Sequence, residues 1–224
     1  MLTASHCSII GSKDYNMGTT PYQILSNSEL SLSLSNDNIV VEIGSERGEG
    51  STGYLHQWAL KHNVDFYSID VDDSASKNQE LTGVKFQVVE AGHIWCRDVL
   101  PNLNKKIKIL YLDNFDWTDP ANLIYPWLHE LIELYATRGV VMNNDNSKEE
   151  HRLQALYCVP YMDEQSIVIF DDTWPAHHTE SGYEGKSGTA ITIFIEAGFK
   201  IIYGEDSLGG LRLFGQRGIT NEQS

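Results

Sequence analysis

The hydrophobic positions of this 224-residue chain fall into two patterns. Short, largely apolar runs occur at Ile39–Ile43, which is β-branched, and at Phe66–Ile69, residues 84–89, Ile107–Leu112 and Ser166–Phe170. Such runs predict strands buried on both faces of a parallel sheet. Between them, apolar residues recur at helical spacing: Tyr54, Leu55, Trp58 and Ala59; then Trp127, Leu128, Leu131, Ile132 and Tyr135; then Leu153, Leu156 and Tyr157. A further helix is predicted over Thr189–Ala197, ending at Gly198. Phe199–Tyr203 and Leu211–Phe214 flank Gly209 and Gly210 and predict a hairpin. Strands that alternate with helices and finish in a hairpin predict an α/β fold: a Rossmann-like, doubly wound, mostly parallel sheet with an antiparallel last strand.

Punctuation residues divide the chain further. Asp119 and Pro120 predict a helix start, and Gly139 its end. Val140–Met142 is a short apolar piece and Asn143–Asn146 a polar loop. Ser147 and Glu150 have the spacing of a capping box, with His151 behind them as a surface or capping histidine. Residues 175–188, rich in Gly and His, predict a mobile loop. These signals give an N-terminal arm over 1–36, one domain over 37–217 with an insertion at 117–147, and a tail at 218–224. The Trp-rich insertion is a candidate lid or homodimer contact.

Composition narrows the function. Apolar residues make up 41%, enough for a core, and the net charge is −15. That charge argues against nucleic acid and anionic membranes as partners. No apolar run reaches the roughly 20 residues of a membrane helix, and the first residues lack a signal-peptide pattern. Cys7, Cys96 and Cys158 are widely spaced and read as free thiols of a cytoplasmic protein.

The chemistry concentrates in Ile39–Ser74. After the first strand come Gly44, Ser45, Gly48 and Gly50, then Ser51 and Thr52 as candidate N-cap residues. The second strand closes on Asp70, with Asp72 just beyond. Three readings fit: a plain βαβ turn, a dinucleotide site, and a site for S-adenosylmethionine. The glycines are spaced G-x-x-x-G-x-G, not G-x-G-x-x-G. Glu42 would repel a pyrophosphate but suits an ammonium. Asp70 suits ribose hydroxyls with either cofactor.

This stretch resembles motifs one and two of the class I S-adenosylmethionine-dependent methyltransferases. Its G-x-x-x-G spacing is most similar to the catechol O-methyltransferase-like branch. The resemblance covers about residues 38–215. It implies a cofactor site built from Glu42, Gly44, Ser45, Gly48, Gly50, Ser51, Thr52, Asp70 and Asp72. Gly92 and His93 would stand beside the adenine, and Asp113 at the fourth motif. The sequence after Leu112 lacks a Pro-Pro-aromatic run, which points to oxygen as the methyl acceptor.

A second constellation stands at two other strand ends. Asp113, Asp171 and Asp172 would converge if those strands are neighbours, and like charges held together need neutralising. A hard divalent cation with oxygen ligands, Mg²⁺, would do so; the alternative is a turn-capping pair beside a solvated Asp113. The adjacent acids are similar to those of macrocin-type and cephalosporin-hydroxylase-like relatives, whose metal they imply. Asp113, Asp116, His177, His178 and Lys186 are the candidates for base or substrate contact. The resulting expectation is a Mg²⁺-assisted O-methyltransferase acting on a small molecule: a sugar, a phenol or a natural product. The rivals are an Fe(II) hydroxylase-like enzyme, a non-catalytic S-adenosylmethionine-binding protein and an NAD-dependent enzyme.

Overall fold

The computed structural model describes residues 25, 32–45, 48, 50–114, 122–179, 182–204 and 213–217. Strand β1 (Asn38–Ile43) lies inside a seven-stranded sheet, third from one edge. To one side lie β2 (Asp65–Asp70) and β3 (Lys85–Val88); to the other lie β4 (Lys106–Leu112) and β5 (Met162–Phe170). These five strands are parallel. The far edge is formed by β8 (Phe199–Gly204) and β9 (Leu213–Arg217), with β9 antiparallel to both β5 and β8. The order is β3-β2-β1-β4-β5-β9-β8, the expected doubly wound sheet with an antiparallel last strand.

The period-2 alternation of each strand feeds two cores. One face carries Ile39, Val41, Ile43, Leu110, Leu112, Val168 and Phe170. It is covered by α2 (Gly92–Asp98), α4 (Asn144–Cys158) and α5 (Gly188–Glu196) through Trp95, Cys96, Ala155, Ile191 and Phe194. The other face carries Val40, Phe66, Ile109, Tyr111, Ile167 and Ile169. There α1 (Ser51–His62) packs with Leu55, Trp58 and Ala59, and Leu25 joins them. Of the N-terminal arm, only residue 25 and residues from 32 onward are described.

The insertion forms a small core of its own. Helix α3 (Pro126–Thr137) buries Leu128 and Tyr135 against Met142, with Val71 alongside. It starts at Pro126, not at the predicted Asp119–Pro120, which lies outside the described residues. Pro126 occupies the first helical position, where its missing N–H costs nothing. Gly139 ends the helix as predicted, with φ +77°.

Two local predictions need correction. Helix α4 begins three residues before the predicted capping box. Asn143 is its N-cap, its side chain accepting from the Asn146 amide at 2.8 Å, so the stretch read as a polar loop is the first turn. Ser147 therefore sits inside the helix, where its hydroxyl has no hydrogen-bond partner among the described residues. The Gly- and His-rich loop is also more ordered than its composition suggests: β6 (Thr173–Pro175) and β7 (Tyr183–Gly185) pair as an antiparallel ribbon.

The cap assignment is directly testable by urea unfolding. Asn143→Ala should cost about 1 kcal/mol, and Ser147→Ala should stay within about 0.5 kcal/mol of the parent. The reverse order would restore the capping box.

Candidate functional site

In a doubly wound sheet, ligands bind beyond the carboxyl ends of the strands. Here those ends enclose a cleft lined by Gly44, Asp70, Glu90, Ala91, Gly92 and Asn114, with Tyr135 of α3 reaching its wall. The chain leaves β1 through Gly44 at φ +96°. A Cβ there would lie 2.5 Å from the Asp113 carbonyl, so only glycine lets this turn pass the end of β4. A Cβ on Gly92 would strike the Ile43 side chain. Backbone therefore forms much of the cleft wall.

Asp70 shapes the turn as well as the cleft. Its Oδ2 accepts the Ser45 amide at 2.7 Å and its Oδ1 the Asp72 amide at 3.0 Å. Asp72 in turn accepts the Ser74 amide at 2.7 Å. The Ser45 hydroxyl also donates to Asp70 Oδ2, at 3.4 Å. Asn114, which the sequence reading did not select, is 9% exposed with its Oδ1 unpartnered among the described residues. A buried acceptor of this kind calls for a hydrogen-bond partner.

Glu42 does not reach the cleft in the way its position suggested. It shares its face of β1 with Val40 and is fully buried beneath the start of α1. Three hydroxyls donate to it: Ser51 at 2.8 Å, Thr52 at 2.8 Å and Ser68 at 2.9 Å. Ser51 and Thr52 are thus tethers inside the first turn, not caps; the N-cap is Gly50. Burial pushes the Glu42 carboxyl from 4.5 up to about 7, against the three hydroxyls that favour its charge. Glu42 pins strand, turn and helix together. Gly48 and Gly50 lie in that turn with positive φ, at 76° and 63°.

The second constellation does assemble, because β4 and β5 are neighbours. What stands between its acids is a lysine. Lys186 is 1% exposed, and its Nζ lies 3.0 Å from Asp113 Oδ1 and 2.8 Å from Asp172 Oδ2. The Tyr111 hydroxyl and the Asp172 amide donate to Asp171. Burial, then the charge of Asp171, pushes the Asp113 carboxyl well above the usual range, although Lys186 pulls it down. The ribbon explains why Lys186 arrives here. Gly185 turns at φ +101° where a Cβ would meet the Asp172 carbonyl, and the Lys186 amide donates to that same carbonyl at 3.0 Å.

These donors do not fit the expected Mg²⁺. The Asp113 and Asp172 oxygens that would converge on a cation converge on the ammonium. Among the described residues, no group of three or more His, Cys, Asp or Glu side chains is arranged to hold a metal. A buried ammonium meets the same electrostatic need that the sequence reading gave to a metal. The other predicted bases stand apart. His177 and His178 are exposed on the ribbon, His178 at 3.4 Å from Glu184, and Asp116 lies outside the described residues.

Behind the cleft, α4 supplies two polar groups. Glu150 accepts the His93 amide at 2.8 Å and pairs with His93 Nδ1 at 2.6 Å. Burial raises the Glu150 carboxyl, but the His93 donors, the His93 charge and the Gln154 amide together outweigh it, and the net shift is downward. His93 is thus tied to α4. His151, expected at the surface, is fully buried. Its Nδ1 donates to the Ser147 carbonyl at 2.8 Å, and burial lowers it to about 4, so the ring is neutral at pH 7.

The Glu42 shift has a signed consequence. Its folded-state value lies above its unfolded one, so the folded protein holds the proton more tightly. Stability from this group is complete below about pH 4.5 and declines as pH rises through 7, by on the order of 3 kcal/mol. Glu42→Gln should flatten that decline in denaturant titrations at pH 5 and pH 8. An unchanged pH dependence would show that Glu42 carries no such proton.

No protein-family model matches the chain, and no curated protein sequence does. Solved structures do resemble it. A Listeria monocytogenes protein assigned to the class I S-adenosylmethionine-dependent methyltransferases superposes with a TM-score of 0.51 at 14% identity, over 92% of this chain and 60% of that one. Aeropyrum pernix fibrillarin with natively bound S-adenosyl-L-methionine gives 0.50 at 8% identity, over 89% and 75%. Fibrillarin in its complex with Nop5p gives 0.50 at 13%, over 91% and 82%. With the strand order and the antiparallel last strand, these likenesses show that the chain has the class I methyltransferase fold.

Proposed function

We propose that this protein is an S-adenosylmethionine-dependent methyltransferase that methylates a hydroxyl group of a small molecule. The observation that carries the reading is the adjacency of two features. The first is a backbone-walled cleft with Asp70 and the orphaned Asn114 acceptor; the second is the lysine-centred acid cluster that begins one residue before Asn114.

The cleft suits the cofactor on chemical grounds. Asp70 would take the ribose hydroxyls, Asn114 Oδ1 an amino donor, and the Gly92 end of α2 the flat base. Gly44 and Ser45 would face the amino-acid end, and Glu42 would hold their turn from beneath. S-adenosylmethionine, when bound, supplies a methyl group on a sulfonium, which is open to attack by a nucleophilic oxygen. The chain's own residues then handle that oxygen. Asp113, made more basic by burial, accepts the hydroxyl proton as the oxygen–methyl bond forms. Lys186 holds Asp113 and Asp172 in place and sets a positive charge beside the oxygen as it loses its proton. The role assigned to Mg²⁺ on sequence thus falls to Lys186.

A small-molecule acceptor also accords with charge. The fibrillarins share the fold, but a net charge of −15 opposes a phosphate backbone.

The test is transfer of a labelled methyl group to a panel of sugar, phenol and other hydroxyl acceptors. Lys186→Met and Asp113→Asn should each cut turnover about 100-fold or more, while cofactor affinity changes little. Asp70→Ala should weaken cofactor binding about tenfold or more. Turnover should survive a chelator. Activity that needs added Mg²⁺, or that persists in Lys186→Met, would remove the lysine from this role. Rate should also fall on acidification, starting above the usual carboxylate range, because Asp113 must be ionised to accept a proton.

A further inference from the structure

Two thiols that the sequence places 62 positions apart meet in the core. Cys96 lies in α2 and Cys158 ends α4. Both are fully buried. The Cys158 thiol donates to Cys96 Sγ at 3.4 Å. A disulfide needs sulfurs about 2.05 Å apart, so a closing movement of about 1.4 Å, shared between two side chains, would bond them. Neither the cofactor cleft nor the acid cluster uses these thiols.

We propose that Cys96 and Cys158 are a disulfide site that staples α2 to α4. The reaction consumes two thiols and one disulfide oxidant such as glutathione disulfide. The sulfur–sulfur bond forms, the oxidant's bond breaks, and the oxidant leaves as two thiols carrying the two protons. Burial pushes the Cys96 thiol well up, so little thiolate exists in the closed fold. Exchange therefore passes through opened or refolding molecules and is slow in the native protein. Once made, the bond closes a loop that runs from α2 through β4 and α3 to the end of α4, and a loop of that length strongly restricts the unfolded chain. It also fastens the cleft wall. Gly92 lines the cleft one helical turn before Cys96, and His93 is already tied to Glu150 of α4. The staple would make that tie covalent.

The test uses the full chain, refolded from denaturant with either glutathione disulfide or dithiothreitol. Mass spectrometry of the oxidised sample should show the loss of two hydrogens and a Cys96–Cys158 cross-linked peptide. Its Tm should lie about 5 °C or more above the reduced sample, and dithiothreitol should reverse the gain. Cys7→Ser should leave both results intact. Cys158→Ser and Cys96→Ala should each abolish them; if either fails to fold, the parent and Cys7→Ser samples still decide. An unchanged mass, glutathione adducts without a cross-link, pairing through Cys7, or a cross-linked form with a lower Tm would each overturn the assignment.

Discussion

A buried ammonium between two carboxylates organises the ligand edge of this protein. Asp113 ends β4, Asp171 and Asp172 follow β5, and the sheet makes those strands neighbours. Held together without a counter-charge, three carboxylates at one edge would repel each other and resist burial. Lys186 resolves this from a different part of the chain. The β6–β7 ribbon folds back so that Gly185 passes the Asp172 carbonyl and Lys186 enters at 1% exposure. A pair made this way is costly to break from one side, since the remaining charge stays buried. The ribbon, the start of α5 and the ends of two strands therefore depend on the same contact.

Beside it, a second buried carboxylate fixes the turn between β1 and α1. Glu42 interrupts the apolar run of β1 because it lies on the α1 face, where Ser51, Thr52 and Ser68 supply hydroxyls. The residue that looks like a ligand contact in the sequence is a tether in the fold. Its hydrogen bonds set how β1 hands over to α1, and so where the Gly44 turn and the Ser45 amide stand against Asp70. The two carboxylate systems meet through Gly44, whose missing Cβ lets the turn lie against the Asp113 backbone. The two systems thus share one strand junction.

The sheet was legible in the sequence because strands buried on both faces leave short, largely apolar runs, as in Ile107–Leu112 and Ser166–Phe170. The glycine turn and Asp70 were legible because close backbone approach and a strand-end acid leave residue types at fixed offsets. The partner of the acids was not. Three carboxylates signal that a cation is needed, but whether it is a metal or a lysine depends on a ribbon whose composition reads as loop. Asn143 lost to Ser147 as the predicted cap for a similar reason. Both have capping chemistry, and the choice rests on which register lets Ala155 and Cys158 face the sheet. His151 looked like a surface residue because no local pattern shows that α5 packs on its helix.

The central claim is that the cleft beside the lysine-centred cluster is made for S-adenosylmethionine without a metal. Calorimetric titration of that cofactor, and of NAD, into the purified protein in the presence of a chelator tests it most directly. Saturable binding of one S-adenosylmethionine per chain, with no heat from NAD, is the expected result. Binding of NAD alone, or cofactor binding that appears only when a divalent cation is restored, would contradict the account.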